Sequence, residues 1–128
     1  MIKIEMALLC DEVRREDNGK LIIIGVYTPG MELAEFPANI APCVWIKFAP
    51  LGKEDMNIEI RAKDKKRPRS QLLRGKGKIH TDNPDQPIFL ALPQRLMKVD
   101  EPTTIVFEIR EVGGRWKTVL ETPLTLSN

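Results

Sequence analysis

The sequence has a single histidine, His80, and a Ser-His-Asp or Cys-His catalytic arrangement would have to use it. His80 is followed by Thr81 and Asp82, and neither a cysteine nor a Gly-x-Ser-x-Gly motif lies near it in the sequence. A histidine without a nucleophile beside it is typical of the exposed end of a strand. We therefore predict that the protein is not an enzyme.

The remaining metal-ligating and phosphate-binding residue types are sparse. Cys10 and Cys43 lie far apart, and with one histidine they do not supply the four ligands of a zinc site. The Gly75-Lys76 dipeptide lacks the spacing of a nucleotide-binding loop. We predict no metal and no cofactor. Both cysteines are expected to be buried free thiols, and a disulfide between them is possible only if their strands are neighbours.

An acidic group near the first predicted turn could bind calcium or act as an acid–base pair. Its members are Asp11, Glu12, Glu16 and Asp17. Arg14 and Arg15 lie among them, so ion pairs on a solvated hairpin are the simpler interpretation. Asp11 follows three apolar residues, and we expect it to be partly buried and to accept backbone or arginine hydrogen bonds. A hydrolytic enzyme with carboxylates near Asp11 is the least favoured hypothesis.

The densest charge lies between Arg61 and His80, where nine Lys and Arg residues accompany one acid, Asp64. This segment has a net charge of +8, whereas the whole chain has +2, so the remainder has −6. The candidate anion-binding residues are Arg61, Lys63, Lys65, Lys66, Arg67, Arg69, Arg74, Lys76, Lys78 and His80.

Four of these side chains alternate with Gly75, Gly77 and Ile79, and should project from one face of a strand: Arg74, Lys76, Lys78 and His80. Strand residues two apart are separated by about 6.6 Å, which is comparable to the spacing of phosphates along a nucleic-acid strand. Nucleic acid or another polyanion is therefore one hypothetical partner. The other interpretation is a lysine-protected edge strand. No aromatic residue between Phe48 and Phe89 is available to stack on bases.

The elements that would position these residues show strand alternation nearly throughout. A first strand is predicted to place Ile2, Ile4, Met6, Leu8 and Cys10 on one face. Residues 20–27 are apolar on both faces, which predicts a central strand covered on two sides. Residues 56–63 alternate as a half-buried antiparallel strand does. Asn18-Gly19 and Gly113-Gly114 predict two-residue hairpin turns.

About eight strands at short spacing predict an all-β fold, namely a single-domain antiparallel β-sandwich over residues 1–128. Only residues 32–38 or 94–99 could form helix, and there at most about one or two turns. The chain has neither an apolar run of about 20 residues nor a signal-peptide pattern. We therefore predict a cytoplasmic protein with no membrane partner.

Part of the sequence resembles an uncharacterised bacterial family of small β-rich proteins. The resemblance lies in residues 7–13, with the pattern A-x-x-C-D-x-V, in Gly19-Lys20-Leu21, in the I-G-V-Y of residues 24–27, and in Phe36-Pro37. It implies a compact bacterial β domain, and it brings no activity or functional residues.

The leading functional hypothesis is a non-catalytic binding or assembly module. Its partner would be another protein or a second copy, paired through the edges of the fifth or last predicted strand. The alternative is a polyanion binder that uses the basic hairpin at residues 61–80.

Overall fold

A computed structural model of the chain describes residues 2–92 and 94–127. Every regular element among them is a β-strand, and the prediction of an all-β fold is confirmed. Residues 32–38 and 94–99, where at most one or two helical turns were expected, contain parts of short strands and irregular segments and no helix. The strands are β1 Ile4–Arg15, β2 Leu21–Val26, β3 Met31–Leu33, β4 Ala38–Ile40, β5 Cys43–Phe48, β6 Asp55–Asp64, β7 Arg67–His80, β8 Ile88–Ala91, β9 Met97–Val99, β10 Thr103–Glu111 and β11 Lys117–Leu126.

These eleven strands form three sheets. The four-stranded sheet has the order β2-β1-β5-β8, and the five-stranded sheet has the order β3-β11-β10-β6-β7. Strands β4 and β9 form a separate pair. All pairs are antiparallel except β3 with β11.

One hydrophobic cluster draws side chains from both large sheets. Ile46 and Phe48 of β5 and Ile105 and Ile109 of β10 are fully buried in it. Because strand side chains alternate, each large sheet has an inner face toward this cluster and an outer face away from it. The outer faces are the surfaces on which a partner could bind.

The register of β1 shifts between Ile4 and Met6. Ile4 lies opposite the buried Phe48, whereas Met6 lies opposite Lys47 on the outer face and is 51% exposed. The prediction of one continuous apolar face along residues 2–10 is therefore wrong. An irregularity in strand pairing moves every later side chain to the other face.

The prediction of a central second strand is also wrong. Strand β2 lies at the edge of the four-stranded sheet, beside β1 alone. Ile22, Ile24 and Val26 are 41%, 39% and 42% exposed. Apolar residues on both faces indicate a strand covered on two sides, but the outer-face side chains of β2 remain partly exposed.

Both predicted hairpins form, with different turns. In the first, the Gly19 amide donates to the Glu16 carbonyl at 2.9 Å, and only Gly19 has positive φ, at 86°. The loop therefore contains three residues instead of two. In the second, the Gly114 amide donates to the Glu111 carbonyl at 2.7 Å, so the tip lies one residue earlier than predicted.

The last strand is not a free sheet edge along its whole length. Strand β11 pairs with β3 along Leu124–Leu126, so the prediction that the last strand has an unpaired edge is wrong for these residues. Strand β7 does lie at an edge of the five-stranded sheet. Among the described residues, no helix has the length and apolar character needed to cross a bilayer.

Candidate functional site

The basic segment lies on the outer face of the five-stranded sheet. The pairing of β6 with β7 sets Arg74 opposite Arg61, and Lys76 opposite Glu59. Lys78 and His80 continue along the same face of β7. The four alternating cations thus share one face, which also carries acidic residues from β6.

Two buried glutamates organise this face. Glu59 and Glu108 are only 4% and 9% exposed. Glu59 lies 2.8 Å from an Arg74 nitrogen and 3.0 Å from an Arg110 nitrogen. Glu108 lies 2.8 Å from Arg61 Nε and 3.2 Å from Lys63 Nζ. Each buried carboxylate therefore pairs with two cations.

The pKa values of both glutamates reflect this pairing. The Arg74 hydrogen bond lowers the pKa of Glu59, with Arg110 adding to it against the effect of burial. Burial by itself would raise the pKa of Glu108, but hydrogen bonds and charge from Arg61 and Lys63 outweigh it and leave the pKa lowered. Both side chains are held as carboxylates.

Trp116 covers the network. Its ring centroid lies 4.0 Å from Arg61 Cζ, 4.4 Å from Arg110 Cζ and 5.9 Å from Arg74 Cζ. Guanidinium groups at these distances make cation–π contacts. Sequence reasoning missed this residue because an aromatic was sought only within the basic segment. In the folded protein the aromatic side chain comes from a residue that follows the turn of the second hairpin.

Most of the remaining candidate cations also have partners. Lys65 lies 3.2 Å from Glu121, Arg67 lies 3.4 Å from Glu101, and Lys66 donates to the Pro102 carbonyl. Lys78 lies 3.6 Å from Asp55. Among the described residues, only Arg69 and Lys76 of the ten candidates make neither an ion pair nor a side-chain hydrogen bond. Acids from other segments therefore neutralise much of the charge of residues 61–80.

His80 lies between two carboxylates at the exposed end of β7. Its Nδ1 is 2.8 Å from Asp55 Oδ1, and its Nε2 is 3.0 Å from Asp82 Oδ1. The hydrogen bond to Asp55, followed by that to Asp82, raises the pKa of His80. The protonated ring donates to both carboxylates, and in that form it has no lone pair with which to act as a base.

The structure places Asp11 differently from the prediction. Its side chain is exposed, and it accepts a hydrogen bond from the Tyr27 hydroxyl rather than from an arginine or backbone group. Gly25 has φ +67°, and a Cβ there would overlap the Asp11 carboxylate. Asp11, Gly25 and Tyr27 all belong to the segments that resemble the uncharacterised family. Their contact stabilises the pairing of β1 with β2.

The two cysteines lie directly opposite each other on β1 and β5. The neighbouring strands that a disulfide would require are therefore present, but both cysteines are buried free thiols. Burial, with the nearby Cys43 adding to it, raises the pKa of Cys10 to about 11. A thiol with so high a pKa is a poor nucleophile near neutral pH.

The outer face of the four-stranded sheet exposes large apolar side chains beside the charged residues Glu12, Arg14 and Lys47. It carries five of the eight large hydrophobic residues that the structure leaves exposed. We call these five the apolar face: Met6, Ile22, Ile24, Val26 and Phe89. Sequence reasoning missed it, because the irregularity at Met6 and the edge position of β2 are both consequences of strand pairing.

Trp45 forms the floor of the apolar face. Its ring stacks on Phe89 with centroids 5.5 Å apart, and it is 7% exposed. Its Nε1 is buried and has no hydrogen-bond partner among the described residues. An exposed phenylalanine above a buried tryptophan is an arrangement suited to apolar contact with a partner.

In residues 2–92 and 94–127, no group of three or more His, Cys, Asp or Glu residues could hold a metal ion. In comparisons with known proteins, a family model described as "Family of unknown function (DUF6941)" matches residues 5–125. No curated protein matches the chain.

Proposed function

This chain belongs to the family of unknown function DUF6941, and from its geometry we propose that it is an assembly module that pairs with a second copy of itself through β2. The match agrees with the resemblance of its sequence to an uncharacterised family. The single observation that carries the proposal is the exposed apolar edge strand β2. Proteins usually protect such an edge, because its unpaired N–H and C=O groups attract other strands.

The other sheet edges differ from β2. Strand β7 carries four cations on its outer face, β8 has only four residues and follows Pro87, and β3 has three residues. Charge, proline and short length are the usual devices against edge pairing. Strand β2, with the sequence Leu-Ile-Ile-Ile-Gly-Val, has six residues, no charge and no proline.

A second copy matches this edge by symmetry. If two β2 strands pair antiparallel about Ile23, then Ile22 of one copy lies opposite Ile24 of the other, on the outer face. Cross-strand pairs of β-branched residues stabilise a sheet. The apolar faces of both copies would then be continuous. The pairing uses the same surface twice, so it closes as a dimer and does not propagate into a fibre.

Sedimentation velocity over a range of concentrations tests the proposal. We expect a reversible dimer for the natural chain and a monomer for Ile24→Lys, because the new charges would repel each other across the two-fold axis. Val112→Lys is the matched control, since Val112 is 53% exposed but lies in the second hairpin turn; it should remain a dimer. A natural chain that stays monomeric at the highest concentration contradicts the proposal.

Polyanion binding by residues 61–80 is the weaker alternative. It needs cations that are free to contact phosphates, whereas Glu59, Glu108 and Asp55 already pair with several of the candidates. We propose weak, salt-sensitive retention on heparin in place of specific binding. Retention that persists above about 0.5 M salt would favour the alternative.

A further inference from the structure

A cleft of about 240 Å³ opens between the two large sheets, at the edge of the four-stranded sheet opposite to β2. It lies between β7 of one sheet and β8 of the other, and these edge strands do not pair with each other. Apolar side chains from both sheets line it: Ile58, Ile60, Ile79, Leu90 and Leu92.

Two glycines on β7 create this space. Gly75 and Gly77 lie opposite Ile60 and Ile58, on the inner face of the strand. A Cβ at Gly77 would meet only Ile58 Cγ1, at 3.9 Å, and a Cβ at Gly75 would meet Ile60 Cγ1 at 3.5 Å and Arg95 Nη1 at 3.7 Å. Neither glycine has positive φ. A side chain would thus fit at either position, and its absence leaves the cleft open.

One cation lies beside this apolar lining. Arg95 has a guanidinium nitrogen 3.7 Å from the position that a Cβ on Gly75 would take, and it makes no ion pair with any described residue. Lys76 and Lys78 also belong to the lining, but their side chains alternate with the two glycines and project from the outer face of β7. The cleft therefore combines an apolar interior with one unpaired guanidinium group, and its lining includes no carboxylate side chain.

We propose that this cleft binds a small amphipathic anion, with an unbranched acyl chain in the apolar interior and its carboxylate on Arg95. A guanidinium group can hold a carboxylate through two parallel hydrogen bonds. Strands β7 and β8 stay open after β2 has paired with a second copy. The proposed binding is thus independent of assembly through β2.

The volume sets the size of the ligand. Since one water occupies about 30 Å³ in the liquid, a cleft of about 240 Å³ holds about eight groups of that size. Binding sites for larger organic ligands begin at about 300 Å³. The cleft therefore has room for a medium-chain carboxylate.

The experiment is a titration of the intact chain with octanoate, followed by the NMR shifts of backbone amides and methyl groups. We expect saturable binding with a dissociation constant of about 1 mM or tighter. The largest shifts should occur at Ile58, Ile79 and Leu90. Hexanoate should bind about tenfold more weakly than octanoate because it buries two fewer methylene groups.

Two variants separate the contributions of charge and cavity. Arg95→Gln should weaken octanoate about tenfold and leave the uncharged octanol within about twofold. Gly77→Val should weaken both ligands about tenfold, because its side chain occupies the cleft. Arg69→Gln is the matched control for lost positive charge, since Arg69 also makes no ion pair with a described residue but does not line the cleft. If Gly77→Val does not fold, Gly77→Ala and Arg95→Gln still decide the question.

Several results would overturn the proposal. One is the absence of saturable binding by octanoate. Another is a set of shifts centred on the apolar face around Phe89 and Ile24. A third is an affinity for octanoate that neither Arg95→Gln nor Gly77→Val changes.

Discussion

The outer faces of the two large sheets differ in how completely the fold pairs or covers their side chains. On the five-stranded sheet, Glu59 and Glu108 pair with cations from three strands, and Trp116 covers the arginines. On the four-stranded sheet, the apolar face stays 39–54% exposed. The charged face is prominent in the sequence, but its ionic interactions are largely satisfied within the chain. The apolar face is the one that remains exposed among the described residues.

Of the substitutions on the two outer faces, the largest expected effect concerns the charged face. Replacing Glu108 by Gln leaves Arg61 and Lys63 without their common carboxylate in a mostly buried position. We expect the free energy of unfolding to fall by about 2 kcal/mol, as measured by urea denaturation. Glu121→Gln is the control, because Glu121 pairs with Lys65 at the exposed surface and should contribute less than about 0.5 kcal/mol. Equal losses in the two variants would show that the buried ion pairs of Glu108 stabilise the fold no more than an exposed ion pair does.

Removing the aromatic cover should have a smaller effect. Trp116→Ala removes cation–π contacts with Arg61 and Arg110, and we expect a loss of about 1–2 kcal/mol in urea denaturation. The freed arginines should also lengthen retention on heparin. Trp116→Phe keeps an aromatic face and should recover part of both properties. Unchanged stability in Trp116→Ala would contradict the role of the ring as a cover.

The apolar face should contribute little to the stability of one copy. We expect Ile24→Thr, at a position 39% exposed, to change the free energy of unfolding of the monomer by less than about 0.5 kcal/mol. The same substitution at Ile46, which is fully buried, should destabilise by about 2 kcal/mol or more. Denaturation at low protein concentration measures both. A large loss at Ile24 would mean that the face already packs within one copy.

The smallest effect should come from His80. The pKa of His80 is higher in the folded protein than in the unfolded chain, where it is about 6.5. The protonated histidine therefore contributes its full stabilisation below about pH 6.5, and this stabilisation is lost as the pH rises through the pKa of the folded protein. The urea midpoint should therefore fall slightly between about pH 6 and about pH 8.5. This fall should shrink in His80→Gln, which cannot carry the charge. An identical pH dependence in the two proteins would rule out this contribution.

The sequence predicted much of the fold correctly at the level of strands. Clean alternation at residues 56–63 corresponds to β6, and the basic strand lies within β7. Both hairpins form, with three residues between Glu16 and Lys20 in the first. The errors at Met6 and β2 share one cause: side-chain patterns report which residues tend to be buried, but the pairing of distant strands decides which of them are covered.

The candidate site was predictable only in part. The ten basic residues could be listed from the sequence, and alternation predicted the face of β7 that four of them share: Arg74, Lys76, Lys78 and His80. The sequence did not predict that acidic residues neutralise these cations, because Glu108 and Glu121 come from strands that are distant in sequence. The cleft at Gly75 and Gly77 could not be predicted from the sequence either, because its other wall is β8 of the second sheet.

By itself, then, the sequence determined the β-strand content, the positions of the turns and the basic character of β7, because each depends on local alternation and turn chemistry. The tertiary structure alone decided that Glu59 and Glu108 satisfy that charge, that β2 is an exposed edge, and that a cleft lies beneath Gly77. The physical reason is that ion pairing, coverage and cavities are properties of residues brought together from distant segments, and local sequence does not encode which segments meet.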